Sequence, residues 1–252
     1  MPLTDSVIAL PFRIGSALRG ARVFHPQGFL CRGRWEIATT SASAPSAHAL
    51  TAGSGFDCLV RVSRGAGLPE GLPDFLGFAI RLLDAYGADH HQDLLINASA
   101  DLSVVHHLFL PAPRWYAQSY STCLPYRAGA GLVLIGLLPP AVRGPRPSLE
   151  AMRRATEGTV TLGVAISTLL GRWERIGTLR RHDPLDPGAG DVDFDPWNTG
   201  GGLQPATWLN RLRREAYRQS RLGRGAPSEP RLQALTPVTP LEPSHPIRVS
   251  SR

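Results

Sequence analysis

Short runs of alternating apolar and polar residues recur along the chain. The clearest run covers residues 28–38, where Phe29, Cys31 and Trp35 share one face and charged residues occupy the other. Seven further runs, bounded by turn residues, predict strands over 57–63, 77–83, 93–98, 119–127, 132–138, 159–168 and 172–179. Eight short strands with turns between them predict an antiparallel β-barrel.

Two segments have the spacing of helices instead. A short helix is predicted over 148–157, with Ser148 as its N-cap. Residues 206–222 contain no Pro or Gly, and Leu209, Leu212 and Ala216 recur at helical spacing. The predicted fold class is therefore α+β, an eight-stranded antiparallel barrel with peripheral helices. We expect an N-terminal arm (1–21), a barrel domain (22–223) and a Pro-rich flexible tail (224–252).

Composition narrows the classes of function. The net charge of +7 comes without any lysine, and the arginines are spread among acidic residues, so no nucleic-acid partner is expected. Cys31, Cys58 and Cys123 lack the spacing of a disulfide framework or a zinc site. No apolar run is long enough for an integral membrane segment. These features predict a cytoplasmic protein, and they are compatible with a homo-oligomer.

Other polar clusters lack the spacing that metal or cofactor chemistry needs. Neighbouring residues on a strand point to opposite faces, so the pairs His90–His91 and His106–His107 are expected as solvated loop or edge residues. The aspartates between residues 183 and 195 lack EF-hand spacing and predict a solvated loop. Neither a dinucleotide fingerprint nor the Gly-x-Ser-x-Gly motif of a hydrolase is supported.

The segment 206–222 carries the most distinctive chemistry. On a helix, Arg213 and Tyr217 are four residues apart and lie on one face. A guanidinium beside a phenol favours the phenolate and lowers its pKa from about 10. Phenolate is a ligand for ferric iron, and Tyr is one of the residues that bind heme axially. The spacing alone also fits a surface arginine beside a half-buried tyrosine.

Two further segments place polar side chains near the first strands. His25, followed by Pro and Gly, lies just before the first predicted strand, where its ring can project into a barrel mouth. Alternation sends Arg61 and Ser63 to the same face of the second strand. A buried Arg61 needs an anionic partner, and Ser63 can hydrogen-bond an imidazole and fix its tautomer.

Together these residues resemble the heme catalase superfamily. The similarity is carried by short motifs that follow one another in the order of that family: 22–36, 61–63, 73–82, 93–97, 120–129, 194–198 and 210–217. The later motifs are similar to those of the short catalase-related proteins, which include small bacterial peroxidases and allene oxide synthase-like enzymes. The resemblance covers residues 22 to about 221.

The resemblance implies a heme b site and a role for each matching residue. The iron ligand is Tyr217, on a proximal helix near the C-terminus, with Arg213 as its charge partner. On the distal side His25 is the acid–base group, Ser63 orients it, and Asn97 is a second hydrogen-bond donor. The implied ligands of the heme propionates are Arg22, Arg61 and Arg221.

The activity that the resemblance implies is reduction or rearrangement of a peroxide. The substrate is hydrogen peroxide or an organic hydroperoxide, handled in a peroxidase-like way with weak catalase activity at most. In this scheme His25 moves a proton between the two peroxide oxygens and Asn97 stabilises the departing oxygen. The alternative is a catalytically degenerate protein of the catalase fold, which binds heme, an apolar ligand or a partner without peroxide turnover.

Overall fold

The computed structural model describes residues 27–44, 46–100, 108–155, 158–185 and 192–206. Within these ranges the chain forms ten strands, one α-helix and one 3-10 helix. The strands are β1 Gln27–Ile37, β2 Gly55–Arg64, β3 Leu76–Leu82, β4 Gln92–Ala98, β5 Tyr120–Ser121, β6 Tyr126–Ala128, β7 Gly131–Leu138, β8 Val160–Thr168, β9 Glu174–Pro184 and β10 Leu203–Pro205. The helices are the 3-10 helix His48–Leu50 and α1 Leu149–Arg154.

Eight of the strands close into an antiparallel barrel. They are ordered β7-β5-β4-β3-β2-β1-β9-β8, and β8 pairs with β7 to complete the ring. β5 and β6 pair with different parts of β7, and β10 pairs with β6. Because the ring is closed, its backbone donors and acceptors are paired without an open edge.

The inward face of the barrel forms the hydrophobic core. Val60, Ile80 and Leu94 lie opposite one another on β2, β3 and β4, and all three are fully buried. Trp35 on β1 is also fully buried, and its indole nitrogen donates to the carbonyl oxygen of Ala49 at 3.0 Å. Each large apolar side chain buried in this way contributes about 1.5–3 kcal/mol of transfer free energy. These contacts stabilise the inner layer on which the barrel is built.

The predicted eight-stranded antiparallel barrel is confirmed, with two differences in its strands. The single strand predicted over 119–127 is wrong, because β5 and β6 are separated by a turn in which Cys123 adopts a positive φ of 58°. β9 begins later than predicted and extends to Pro184. The N-cap of α1 is confirmed, since Ser148 Oγ accepts a hydrogen bond from the Ala151 amide at 3.1 Å.

Some expectations about organisation fall outside the described residues. The boundaries between arm, barrel domain and tail, at 21–22 and 223–224, stay predictions. Of the helices in the described ranges, none has the length and apolarity needed to cross a membrane.

Candidate functional site

A row of residues without large side chains crosses the outer face of the barrel. Cross-strand pairing aligns one residue from each of seven strands, and we call this set the outer row: Gly28, Ser63, Gly77, Asn97, Ser121, Gly136 and Ala165. The strand neighbours Val62, Phe78 and Ile96 belong to the inner core, so the row faces the other way. All of its members except Gly28 are buried. The outer face of the barrel therefore has no large protruding side chain along this row.

Asn97 is the polar centre of the outer row. Its side chain is only 8% exposed, and it has no hydrogen-bond partner in the part of the chain that the structure describes. An amide held in this way is available to a bound molecule that supplies an acceptor or a donor.

Arg61 and Ser63 accompany Asn97 on the same face. Ser63 Oγ lies 3.4 Å from the carbonyl oxygen of Gly77, which in turn pairs with Asn97 across β3 and β4. Arg61 is 7% exposed, and its guanidinium lies beside Gly28, where a Cβ atom would come within 2.9 Å of Arg61 Cζ. Gly28 thus provides the space in which a cation lies close to the outer row.

Trp173 limits the site at the other end of the row. A Cβ atom on Gly136 would lie 2.6 Å from Trp173 Cη2, so the indole packs directly on that glycine. The candidate site is therefore the part of the outer row around Ser63, Gly77 and Asn97, with the Arg61 guanidinium at its edge.

The structure brings together three of the residues predicted for the site, namely Arg61, Ser63 and Asn97. The remaining predicted residues lie outside the described residues: Arg22, His25, Arg213, Tyr217 and Arg221. Their roles stay predictions. Ala206, the last described residue before the Arg213–Tyr217 segment, donates its amide to Pro125 O at 3.1 Å. The chain therefore passes next to β6 immediately before the segment predicted to carry the iron ligand.

A buried ion pair four residues farther along β3 and β4 is missing from the sequence-based predictions. Arg81 and Asp93 face each other on β3 and β4, and they form two hydrogen bonds of 2.7 and 2.6 Å. Arg81 Nη2 also donates to Asp193 O, and the Asp195 amide donates to Asp93 Oδ2 at 2.8 Å. The Arg81–Asp93 pair therefore holds residues 193–195 against the outer face of β3 and β4. Only the register between β3 and β4 reveals it.

His91 corrects one expectation about the histidine pairs. Its side chain is buried, contrary to the expected solvated position. Its Nδ1 accepts a hydrogen bond from the Asp84 amide at 3.0 Å. Ligand atoms of Asp84, Asp89 and His91 lie within 4.8 Å of one another, and His91 Nε2 has no hydrogen-bond partner among the described residues. Burial, assisted by the Arg81 cation, lowers the pKa of His91.

A second polar group lies inside the barrel. Arg181 is fully buried, and its Nη2 donates to the Tyr116 hydroxyl at 2.8 Å while its Nη1 lies 3.6 Å from Cys31 Sγ. Burial raises the pKa of Cys31, and the arginine only partly opposes this effect. The thiol is therefore protonated at neutral pH and is a poor nucleophile.

Comparison with known proteins agrees with the architecture. No family model matches the chain, and no curated protein matches it. Among solved structures, the chain is similar to the crystal structure of a fungal catalase, with a TM-score of 0.62 and 15% sequence identity. The match covers 82% of this chain and 60% of the fungal catalase, which is less than two thirds of that protein. At this identity the likeness concerns the fold, and the chain has a catalase-like fold.

Proposed function

We propose that this chain binds heme b against the outer row and reduces or rearranges peroxides. The observation that carries the proposal is the buried Asn97 amide, which has no partner among the described residues and lies near Ser63 on the smooth outer wall of a catalase-like barrel. In its finer form, the proposal assigns the chain to the short catalase-related proteins. The motifs at 120–129 and 194–198, which are similar to those of that group, support this assignment.

The residues of the outer row fit a flat, apolar and dianionic group. Gly77 and Ser121 leave the wall without protruding side chains, so a planar ring can approach the sheet. Arg61 supplies a largely buried cation at the edge of the row, and such a cation pairs well with a carboxylate. Heme propionates are carboxylates of this kind. Arg22 and Arg221 are proposed as further propionate ligands.

The proximal side of the site is proposed to come from residues 206–222. In this arrangement Tyr217 would hold the iron through its phenolate, and Arg213 would keep that oxygen ionised. Bound heme would supply an iron centre that weakens the O–O bond of a peroxide. The chain itself supplies the orientation and the proton transfers.

Three residues are proposed to act on the peroxide from the distal side. His25 would accept a proton from one peroxide oxygen and return it to the other. Ser63 hydrogen-bonds the imidazole and keeps it in the required tautomer. Asn97 donates its amide hydrogen to the departing oxygen as negative charge develops there. Because the amide has no partner within the described ranges, no bond to them has to break first.

The test compares Asn97→Ala with a matched control, Gln204→Ala, which removes an exposed amide on β10. Both proteins are loaded with hemin, checked by their Soret absorption, and assayed with hydrogen peroxide and with a bulky organic hydroperoxide. We expect Asn97→Ala to keep its heme and to lose roughly 100- to 1000-fold in turnover, the usual loss for one transition-state donor. Gln204→Ala should match the wild type.

Two outcomes would contradict this function. Equal turnover in Asn97→Ala and the wild type would remove Asn97 from the chemistry. Wild-type protein that binds hemin but consumes peroxide no faster than free hemin would establish the degenerate, non-catalytic alternative instead.

A further inference from the structure

We propose that three loops at one end of the barrel dock the protein onto the surface of an anionic phospholipid bilayer. The docking loops are residues 65–75, 108–119 and 139–147. This inference is independent of the proposed heme chemistry, because it concerns a different surface and needs no cofactor.

Exposed apolar side chains are concentrated on the docking loops. Eight large hydrophobic residues in the described ranges are exposed, and all but Leu170 lie on these loops: Leu68, Leu72, Phe75, Leu108, Phe109, Leu110 and Val142. Their exposed fractions run from 38% to 60%. Single exposed apolar residues are common on proteins, but a cluster of this kind marks an interaction surface.

Backbone hydrogen bonds join the docking loops into one surface. Asp74 and Ala112 exchange backbone hydrogen bonds of 3.2 and 2.9 Å, which link the first loop to the second. The Trp115 amide donates to Pro145 O at 2.9 Å, which links the second loop to the third. The three loops are therefore joined to one another at this end of the barrel.

A buried ion pair fixes the first docking loop. Arg64 Nη2 lies 3.1 Å from Asp74 Oδ2, and both side chains are almost fully buried. Arg64 also donates to Leu68 O at 2.6 Å, while Asp74 Oδ1 accepts from the Phe75 amide at 2.7 Å. These bonds hold the backbone that carries Leu68 and Phe75 in place.

The charge of the docking loops selects an anionic surface. Arg143 and Arg146 are exposed and Arg114 is partly exposed, whereas Glu70 is the exposed acid on these loops as the structure describes them. Apolar side chains on loops, accompanied by arginines, match the interfacial region of a bilayer, where the apolar groups enter and the cations meet phosphate groups. This charge complementarity favours a lipid surface over a second copy of the chain, which carries the same positive charge.

The experiment is co-sedimentation of the full chain with vesicles of phosphatidylcholine, with and without phosphatidylserine. We expect binding to the anionic vesicles that weakens with added salt. The double variant Leu108→Ser/Phe109→Ser should bind roughly 10- to 30-fold more weakly, because about half of each side chain is exposed and available for insertion. The matched control is Leu170→Ser, on the turn between β8 and β9, which should bind like the wild type.

Charge is tested with the double variant Arg143→Gln/Arg146→Gln against the control Arg172→Gln, an exposed arginine near Leu170. Loss of each loop arginine should weaken binding roughly fivefold, and the control should bind like the wild type. Thermal unfolding and size-exclusion chromatography verify that every variant is folded.

Equal vesicle binding by the loop variants and their controls would overturn the proposal. So would a wild-type dimer that the loop variants convert to monomer, without vesicle binding, which would identify a second copy as the occupant.

Discussion

Replacement of Asp93 by Asn should destabilise the barrel far more than loss of a surface ion pair. In the wild type, Asp93 and Arg81 are both almost completely buried and share two short hydrogen bonds. The neutral amide of the variant would leave the Arg81 guanidinium buried without its counter-charge. It would also weaken the bond that the Asp195 amide makes to Asp93 Oδ2, and with it the attachment of residues 193–195.

The expected size follows from the burial of the pair. Removal of one partner of a buried ion pair costs about 3–5 kcal/mol of the free energy of unfolding. For a chain of this length, each kcal/mol lowers the melting temperature by about 2–4 °C. Asp93→Asn should therefore melt roughly 6–20 °C below the wild type. The matched control is Glu36→Gln, whose partner Arg180 lies 2.6 Å away but where both side chains are about 40% exposed. That pair should be worth about 0–1 kcal/mol.

The assay is urea unfolding followed by tryptophan fluorescence, together with a thermal melt. We expect a lower midpoint for Asp93→Asn with an unchanged slope, since the surface exposed on unfolding stays the same. A loss of stability no larger than that of Glu36→Gln would refute the reasoning. It would show that the Arg81–Asp93 pair is not the anchor that its geometry indicates.

Three further predictions concern a titrating group, a close contact and a helix cap. The pKa of His91 is lowered in the fold, so between that pKa and about pH 6.5 the unfolded chain binds more protons than the folded protein, and stability should fall as the pH drops below about 6.5. His91→Asn, which can still accept the Asp84 amide, should show a smaller fall, and an equal fall in urea titrations would contradict this. Gly28→Ala should cost about 1–3 kcal/mol in urea unfolding, because the new methyl group would lie 2.6 Å from the backbone carbonyl oxygen of Val62 and 2.9 Å from Arg61 Cζ; an unchanged midpoint would count against these close contacts. Ser148→Ala should cost about 1 kcal/mol through loss of the N-cap, and Ser148→Asp should restore it, whereas equal losses in both would contradict a capping role.

The barrel was predictable because alternation is a local property. Residues 28–38 show it in the sequence, and β1 buries Cys31, Gly33 and Trp35 on one face as expected. The same reasoning failed at 119–127, where the strand-like pattern continues through a turn. There Cys123 takes a positive φ and Pro125 lies between the two short strands, which periodicity cannot show.

The candidate site was only partly predictable, because its organisation depends on pairing between distant strands. The sequence indicates that Arg61 and Ser63 share a face, since they are two residues apart on one strand. It does not indicate that Ser63, Gly77 and Asn97 form a continuous row, because that requires the register of three strands. The buried position of His91 and the Arg81–Asp93 pair were missed for the same reason. The sequence alone does not show which partner a charged or polar residue contacts when it is buried.

The central claim, that the Tyr217 phenolate holds ferric heme, is tested most directly by titrating the purified protein with hemin. The matched variants are Tyr217→Phe and Tyr86→Phe, the latter removing a hydroxyl that bonds Gln92 away from the outer row. We predict a saturable Soret band at one heme per chain in the wild type and in Tyr86→Phe, and a lost or shifted band in Tyr217→Phe. A wild-type protein that stays colourless with hemin, or a Tyr217→Phe spectrum identical to that of the wild type, would contradict the account.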